Sequence, residues 1–389
     1  MARRRGTSQT PRRKSSSVGI DSPRALLLLL LLVAVLFIGD RLGLVDINWE
    51  EFLGRPDTQP RPPAVEPVTG AWYQLYFSTP HYPDERGSRV DTIQKGLIEA
   101  VNSAQKSLDI AIYEFDLKES GDAILAAHDR GVQVRIVTDS DTLEEDESLI
   151  RLKKAGLPIV PDERGAIMHD KFVVVDGQAV WTGSWNFTSN DTFRNNNNAI
   201  YIRSAQLARN YSTEFLEMYA QHAFGPTSPA NTPSPQLQIG DTLVETCFAA
   251  EDHCAAKLIR AINQAQQSIR FMAFSFTHDG IGQAVVGRAR AGVDVKGVFE
   301  TRGSDTEASQ YGFLRAQNLD VWQDGNPYTL HHKVFVIDGK TVVMGSFNFS
   351  ANADESNDEN ILILHNSDIA GQYLAEFERV YAQAKNAPK

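Results

Sequence analysis

Cysteine is nearly absent from this 389-residue chain, which has two, Cys247 and Cys254, against a hydrophobic content of 42%. That excludes a disulfide-framework protein and leaves apolar material for a sizeable core. Positive charge is also scarce: 38 Lys and Arg stand against 49 Asp and Glu, for a net charge of −11. The shortage is uneven. Seven basic residues and one acid precede residue 25, so this tail (1–24) carries +6 and the remainder −17. A body that acidic is a poor general binder of polyanions, because affinity for phosphate backbones rests on basic side chains and counterion release. Phosphate chemistry here therefore requires a local basic pocket. Long apolar runs are represented by Ala25–Gly39, which has no charged residue but, at fifteen residues, is shorter than the ~20 that span a bilayer comfortably. With a basic flank before it and no small-x-small cleavage site after it, we expect an uncleaved anchor within 25–44, N-terminus inside and body outside; cleavage would give a secreted protein. A proline-rich stretch within 45–70 reads as a tether.

The rest of the chain is organised by a repeat. Shifted by 161 or 162 positions, about 90–222 falls on 251–384: LIEAVNSAQKSLDIAIYEF from Leu97 matches LIRAINQAQQSIRFMAFSF from Leu258, and Leu207, Tyr211, Phe215 and Tyr219 match Ile369, Tyr373, Phe377 and Tyr381. The expected units are 71–224 and 238–389, joined by a Pro/Ser/Thr linker at 225–237. In the first, Ile93, Leu97, Ile98 and Val101 form one helical face, Leu108–Phe115 and Val132–Val137 read as strands, and Gly121–Arg130 as the helix between them. The fold class expected is α/β: two similar units, each a mixed, largely parallel sheet flanked by helices, packed about a pseudo-twofold axis.

The chemistry lies where the copies agree best. His169, Lys171 and Asp176 are followed by Gly183-Ser184-Trp185-Asn186; His331, Lys333 and Asp338 are followed by Gly345-Ser346-Phe347-Asn348. On a strand, residues two apart share a face, so each histidine pairs with its lysine while Asp170 and His332 point away. Asp176-Gly177 and Asp338-Gly339 are hairpin turns, after which Ser184 and Asn186, or Ser346 and Asn348, share one face. Trp185, Phe187, Phe347 and Phe349, on the other, read as core. An imidazole, an ammonium, a hydroxyl and an amide on adjacent strands suit a phosphoryl group, and duplication supplies two such sets. Facing each other across one phosphate, one imidazole attacks and the other protonates the leaving oxygen.

With its doubled H-x-K-x-x-x-x-D and trailing G-S-x-N, the chain resembles a two-motif member of the phospholipase D superfamily over about residues 72–385. The resemblance implies a phosphodiesterase working through a phosphohistidine, without cofactor or metal. It implies catalytic roles for His169, Lys171, His331 and Lys333, with Asp176 and Asp338 belonging to the same motifs mainly as supports, and phosphate binding by Ser184, Asn186, Ser346 and Asn348. In this family an acid beyond the Asn often contacts the opposite copy's histidine. Carried over, Glu359 orients His169, whereas His331 faces the neutral Asn197, so an acid is missing from one side. On that asymmetry His169 is expected to be the nucleophile and His331 the general acid.

The expected substrate is a phospholipid, with DNA or RNA as the alternative and phosphatidyl transfer third; the expected partner is a phospholipid membrane, with no obligate protein partner. Cys247 and Cys254 form a possible disulfide in an oxidising compartment. Sequons at Asn186 and Asn348 would place glycans in the proposed pocket, which disfavours a eukaryotic secretory route; an outward-facing bacterial membrane is expected first and a mitochondrial anchor second.

Overall fold

In the computed structural model, residues 68–387 are described; the basic tail, the expected anchor at 25–44 and nearly all of the tether lie outside the described residues. Among the described residues no helix is long and apolar enough to cross a membrane.

The repeat folds into two copies of one sheet. In the first half the strand order is Val68–Thr69, Tyr73–Phe77, Asn198–Arg203, Ala179–Gly183, Lys171–Val175, Ser107–Ile112, Gln133–Thr138, Ile159–Pro161. The second repeats it as Gln236–Ile239, Thr242–Ala249, Glu359–His365, Thr341–Gly345, Lys333–Ile337, Ser268–Ala273, Asp294–Phe299, Asp320–Gln323. The strand-helix-strand portion is parallel, Ser107–Ile112 with Gln133–Thr138 and that strand with Ile159–Pro161. Every other neighbour pair of this sheet is antiparallel. Antiparallel pairs thus outnumber the parallel ones that the strand-helix-strand order led us to expect, because the motif strands are joined by a tight hairpin.

That hairpin follows from its turn residues. Asp176 and Gly177 have φ of 55° and 63°, and Asp338 and Gly339 of 53° and 61°. Two successive left-handed residues make the turn whose twist matches paired strands, and Asp and Gly tolerate it. Strand alternation then divides the side chains: Phe172 and Val174 enter a central core, and Val173 and Val175 an outer one.

The central core lies between the sheets. It takes Leu207, Tyr211, Phe215 and Met218 from the helix Ala205–Gln221 and Ile369, Tyr373, Phe377 and Val380 from the helix Ser367–Lys385. The outer core of the first half seats the helices Ile93–Ser103 and Lys118–Asp129 on the far face of its sheet and buries Trp185 and Phe187, and that of the second seats Cys254–Asn263 and Asp279–Arg290 and buries Phe347 and Phe349. The halves are stitched reciprocally. The His331 amide donates to the Asn196 carbonyl at 3.0 Å, and the His169 amide to the Asp358 carbonyl at 2.9 Å. Leu330 pairs with Asn196, and its counterpart Met168 with Asp358. Reciprocal contacts of this kind define a pseudo-twofold relation centred beside the two histidines. In the second half a disulfide joins Cys247 to Cys254.

Candidate active site

His169 and His331 each stand two residues ahead of a lysine that opens the first hairpin strand. Both pairs are buried, the lysines at 1% exposure and the histidines at 5% and 7%. Lys171 Nζ donates to the His169 carbonyl at 2.6 Å and Lys333 Nζ to that of His331 at 2.9 Å. The halves converge here, since each imidazole is pushed well below its usual value first by burial and then by both ammonium groups. Burial likewise lowers both lysines. Four basic groups with little access to water form a site that a phosphoryl anion stabilises, by restoring the charge balance that burial disturbs.

The hydrogen bonds that set the rings come from the opposite half. Glu359 Oε2 and His169 Nδ1 share a 2.8 Å bond, and His331 Nδ1 donates to Asn197 Oδ1 at 2.9 Å. Burial raises Glu359 to about 8 against the pull of Lys171. With Nδ1 engaged across the halves, the orientation of each ring is fixed.

Ser184 and Ser346, expected to bind the phosphate, have their hydroxyls engaged within the protein. The Ser184 hydroxyl donates to Asn197 Oδ1 at 2.8 Å and accepts the Asn198 amide at 3.1 Å, and Ser346 accepts the Asn360 amide at 2.9 Å while supporting Glu359. Committed in this way, the hydroxyls hold the groups that hold the histidines. Asp176 and Asp338, grouped with the catalytic residues by motif, lie at the turn end of their strands. Asp176 accepts the amides of Gln105, Lys106 and Ser107, and Asp338 those of Gln266, Gln267 and Ser268. Burial alone raises these carboxyls, but the amides outweigh it and keep both below 3.8. They anchor the turn to the start of the neighbouring strand.

Asn186 and Asn348 each bury a side-chain oxygen that has no hydrogen-bond partner, and Asn186 Nδ2 lies 3.4 Å from Glu114 Oε2. On the reverse side of the strands, Asp170 and His332 face the central helices: Asp170 accepts from Asn360 Nδ2 at 2.6 Å, and His332 bonds Asn198 and Glu376.

Sequence reasoning missed three features. Tyr113 and Phe274 set their rings 5.1 and 4.8 Å from His169 and His331, and lie 5.1 and 4.6 Å from the lysine ammoniums. Their matching offset in the repeat was the signal available. Glu114, next to Tyr113, bears on Lys171, whereas its repeat counterpart is Ser275. The third is Asp191, whose Oδ2 lies 3.5 Å from His331 Nδ1. Because the second copy has Ala353 at that position, the repeat offered nothing to flag it. An acid is therefore present on the side where the sequence led us to expect none.

The chain matches the family model described as "Cardiolipin synthase, PLD-like domain" twice, over residues 97–219 and 258–381. It is 31% identical over 159 residues to the mitochondrial cardiolipin hydrolase of Xenopus tropicalis, an alignment covering 41% of this chain and 72% of that protein. It is 30% identical over 151 residues to the phospholipase D of Rickettsia bellii, covering 37% and 75%. Among solved structures, phosphatidylserine synthase from Haemophilus influenzae Rd KW20 superposes with a TM-score of 0.58 at 13% identity, over 76% of this chain and 84% of that one, which is a likeness of fold.

Proposed function

The chain belongs to the phospholipase D superfamily of phosphodiesterases, and from that premise we propose that it hydrolyses a phospholipid phosphodiester through a phosphohistidine on His169. The observation that carries this reading is the pair of imidazoles, each fixed at Nδ1 by the other half and each flanked by a buried lysine. His169 Nε2 attacks phosphorus while Lys171, Lys333, Asn186 and Asn348 hold the non-bridging oxygens. The P–N bond forms as the bond to the leaving oxygen breaks, and His331 delivers its proton to that oxygen. Water then attacks phosphorus and gives a proton back to His331. The P–N bond breaks, and His169 is restored. Glu359 at His169 favours the charged states of the attacking ring, which supports that order.

A lipid is favoured over nucleic acid by the surroundings. Glu114, Asp116, Glu145, Asp146 and Asp191 line one cleft, and Glu114 and Asp191 also border the histidine-lysine cluster. A polyanion continuing past the scissile phosphate meets repulsion there. The names of the two relatives, a cardiolipin hydrolase and a phospholipase D, support the same choice. The anchor read at 25–44 brings the site to a membrane, and the Cys247–Cys254 disulfide fits a body on its oxidising side.

The test is an assay of the full chain, in excess chelator, on labelled phospholipid vesicles and on single-stranded DNA. Lipid turnover with a label trapped on His169 is the expected result. Turnover of DNA alone overturns the lipid substrate, a label on His331 reverses the histidines, and loss of all activity with chelator removes the metal-free mechanism.

A further inference from the structure

The carboxylate beside His331 has no counterpart in the repeat. The offset of 162 pairs Asn197 with Glu359 and Asp191 with Ala353, so each half places one acid near the opposite histidine, but six residues apart in the aligned sequence. Glu359 reaches His169 directly at 2.8 Å. Asn197 takes the equivalent bond to His331, and Asp191 approaches the same nitrogen at 3.5 Å. The two first-half residues are tied together, since Asn197 Nδ2 donates to the Asp191 carbonyl at 3.2 Å.

We propose that Asp191 is the second acid of the site, a positioning residue that stabilises the imidazolium of His331 and so sustains proton delivery to the leaving oxygen. The inference rests on the reading of His331 as general acid. Asp191 is 3% exposed, and its hydrogen bonds come from neutral donors: Oδ2 accepts the Asn186 amide at 2.9 Å and Oδ1 accepts Asn195 Nδ2 at 2.6 Å. Neither donor neutralises the carboxylate. Its charge bears instead on the centre of the site, favouring the ammonium forms of Lys171 and Lys333 and opposing ionisation of Glu114 and Asp116. The charges that bear most strongly on His331 are cationic, Lys333 and His332 on its own segment and Lys171 and His169 across the halves, while the acids Glu359 and Glu300, the latter accepting the Leu330 amide at 2.6 Å, act on the neighbouring Lys333. Phe274 covers its ring. A nearby anion favours protonation of that imidazole, and among the described residues Asp191 is the carboxylate within ion-pair reach of it.

The experiment compares the full-chain wild type with Asp191→Asn and with Asp191→Ala/Asn197→Glu, which copies the arrangement around His169. Values of kcat/KM are measured on a phospholipid, whose alkoxide leaving group needs a proton, and on a 4-nitrophenyl phosphodiester, whose leaving group does not. Asp191→Asn is expected to lose about 100-fold on the lipid and far less on the aryl ester. The basic limb of its lipid profile moves acidward by about one pH unit as the imidazolium loses its anion. The double variant restores both. Equal losses on the two esters, or an unmoved basic limb, overturn the proposal and leave Asp191 a structural residue. A second readout does not depend on turnover: in the histidine resonances, the titration of His331 moves down in Asp191→Asn and returns in the double variant. If the wild type cleaves neither ester, the proposed function fails. In that case an unmoved His331 titration still overturns the pairing, and a moved one sustains it.

Discussion

Between the histidine and the lysine of the second half stands His332, bonded to Glu376 at 3.0 Å and to Asn198 at 2.9 Å, with Arg379 bridging to the same Glu376. The first half has Asp170 in that place, facing Glu214 where the second has Glu376; Asp170 Oδ2 and Glu214 Oε1 have no hydrogen-bond partner. Tyr211 and Tyr373 nevertheless reach the opposite half's Asn360 and Asn198 in the same way. The fold thus tolerates opposite chemistries at one buried position, through different means of controlling charge. In the second half the charge of Arg379 overcomes burial and keeps Glu376 below its usual value. In the first, burial raises Asp170 to about 7 and Glu214 well above 4.5, so protonation does what an arginine does in the other half.

The sharpest way to break the comparison is to remove each histidine in turn. His169→Asn is expected to lower kcat by about 10⁴-fold or more and to abolish the trapped phosphoprotein, whereas His331→Asn costs about 10²–10⁴-fold and still allows label to form on His169. Equal losses with label absent from both variants would show that the halves do not divide the work.

Glu359→Gln probes the acid of the second half. We expect a fall in kcat of about 100-fold or more, because the attacking ring keeps a hydrogen-bond partner but loses the carboxyl that can ionise as the ring becomes cationic. With the cation of His169 less favoured, its deprotonation moves to lower pH, and the acidic limb of kcat/KM shifts that way. The Asp191 variant moves the basic limb, so a pH series on the two variants separates the two acids.

Asp170→Asn tests charge control by protonation. An acid whose folded pKa is raised binds more protons folded than unfolded, so its contribution to stability falls as pH rises from about 4 through about 7. The amide keeps an oxygen for Asn360 and removes this penalty. Thermal melts should show stabilisation on the order of 1–3 kcal/mol at pH 7.5 and little change at pH 4. A loss of stability at pH 7.5 would mean that Asp170 is held ionised.

The smallest effect is expected at the disulfide, which the first half does without. Cys247→Ser/Cys254→Ser should cost about 2–3 kcal/mol in denaturant unfolding on the loop-entropy estimate and leave kcat/KM nearly unchanged, since neither sulfur touches the histidine-lysine cluster. A drop in activity greater than the drop in stability would tie this segment to the site.

Much of the fold could be read directly. The hairpin at Asp176-Gly177, the aromatic stripe of Tyr211 and Phe215 and the strand-helix-strand segment are local patterns with periods of 2 or 3.6, and each appears twice. The dominance of antiparallel pairing was not legible, because sequence shows which segments are strands without showing which edges they choose. The engagement of Ser184 and Ser346 was hidden for a related reason: alternation assigned their face, but the partners that take up their hydroxyls, Asn197 and Glu359, lie on another strand segment.

By itself the sequence determined that this protein is a duplicated α/β unit with two histidine-lysine pairs and an acid opposite one of them, since repetition at a constant offset is visible without coordinates. Only the tertiary structure decided what surrounds each ring. Asp191 and His331 are 140 residues apart, and nothing in either copy alone pairs them. Their proximity results from the packing of one sheet against the other, which the side chains of both halves settle together.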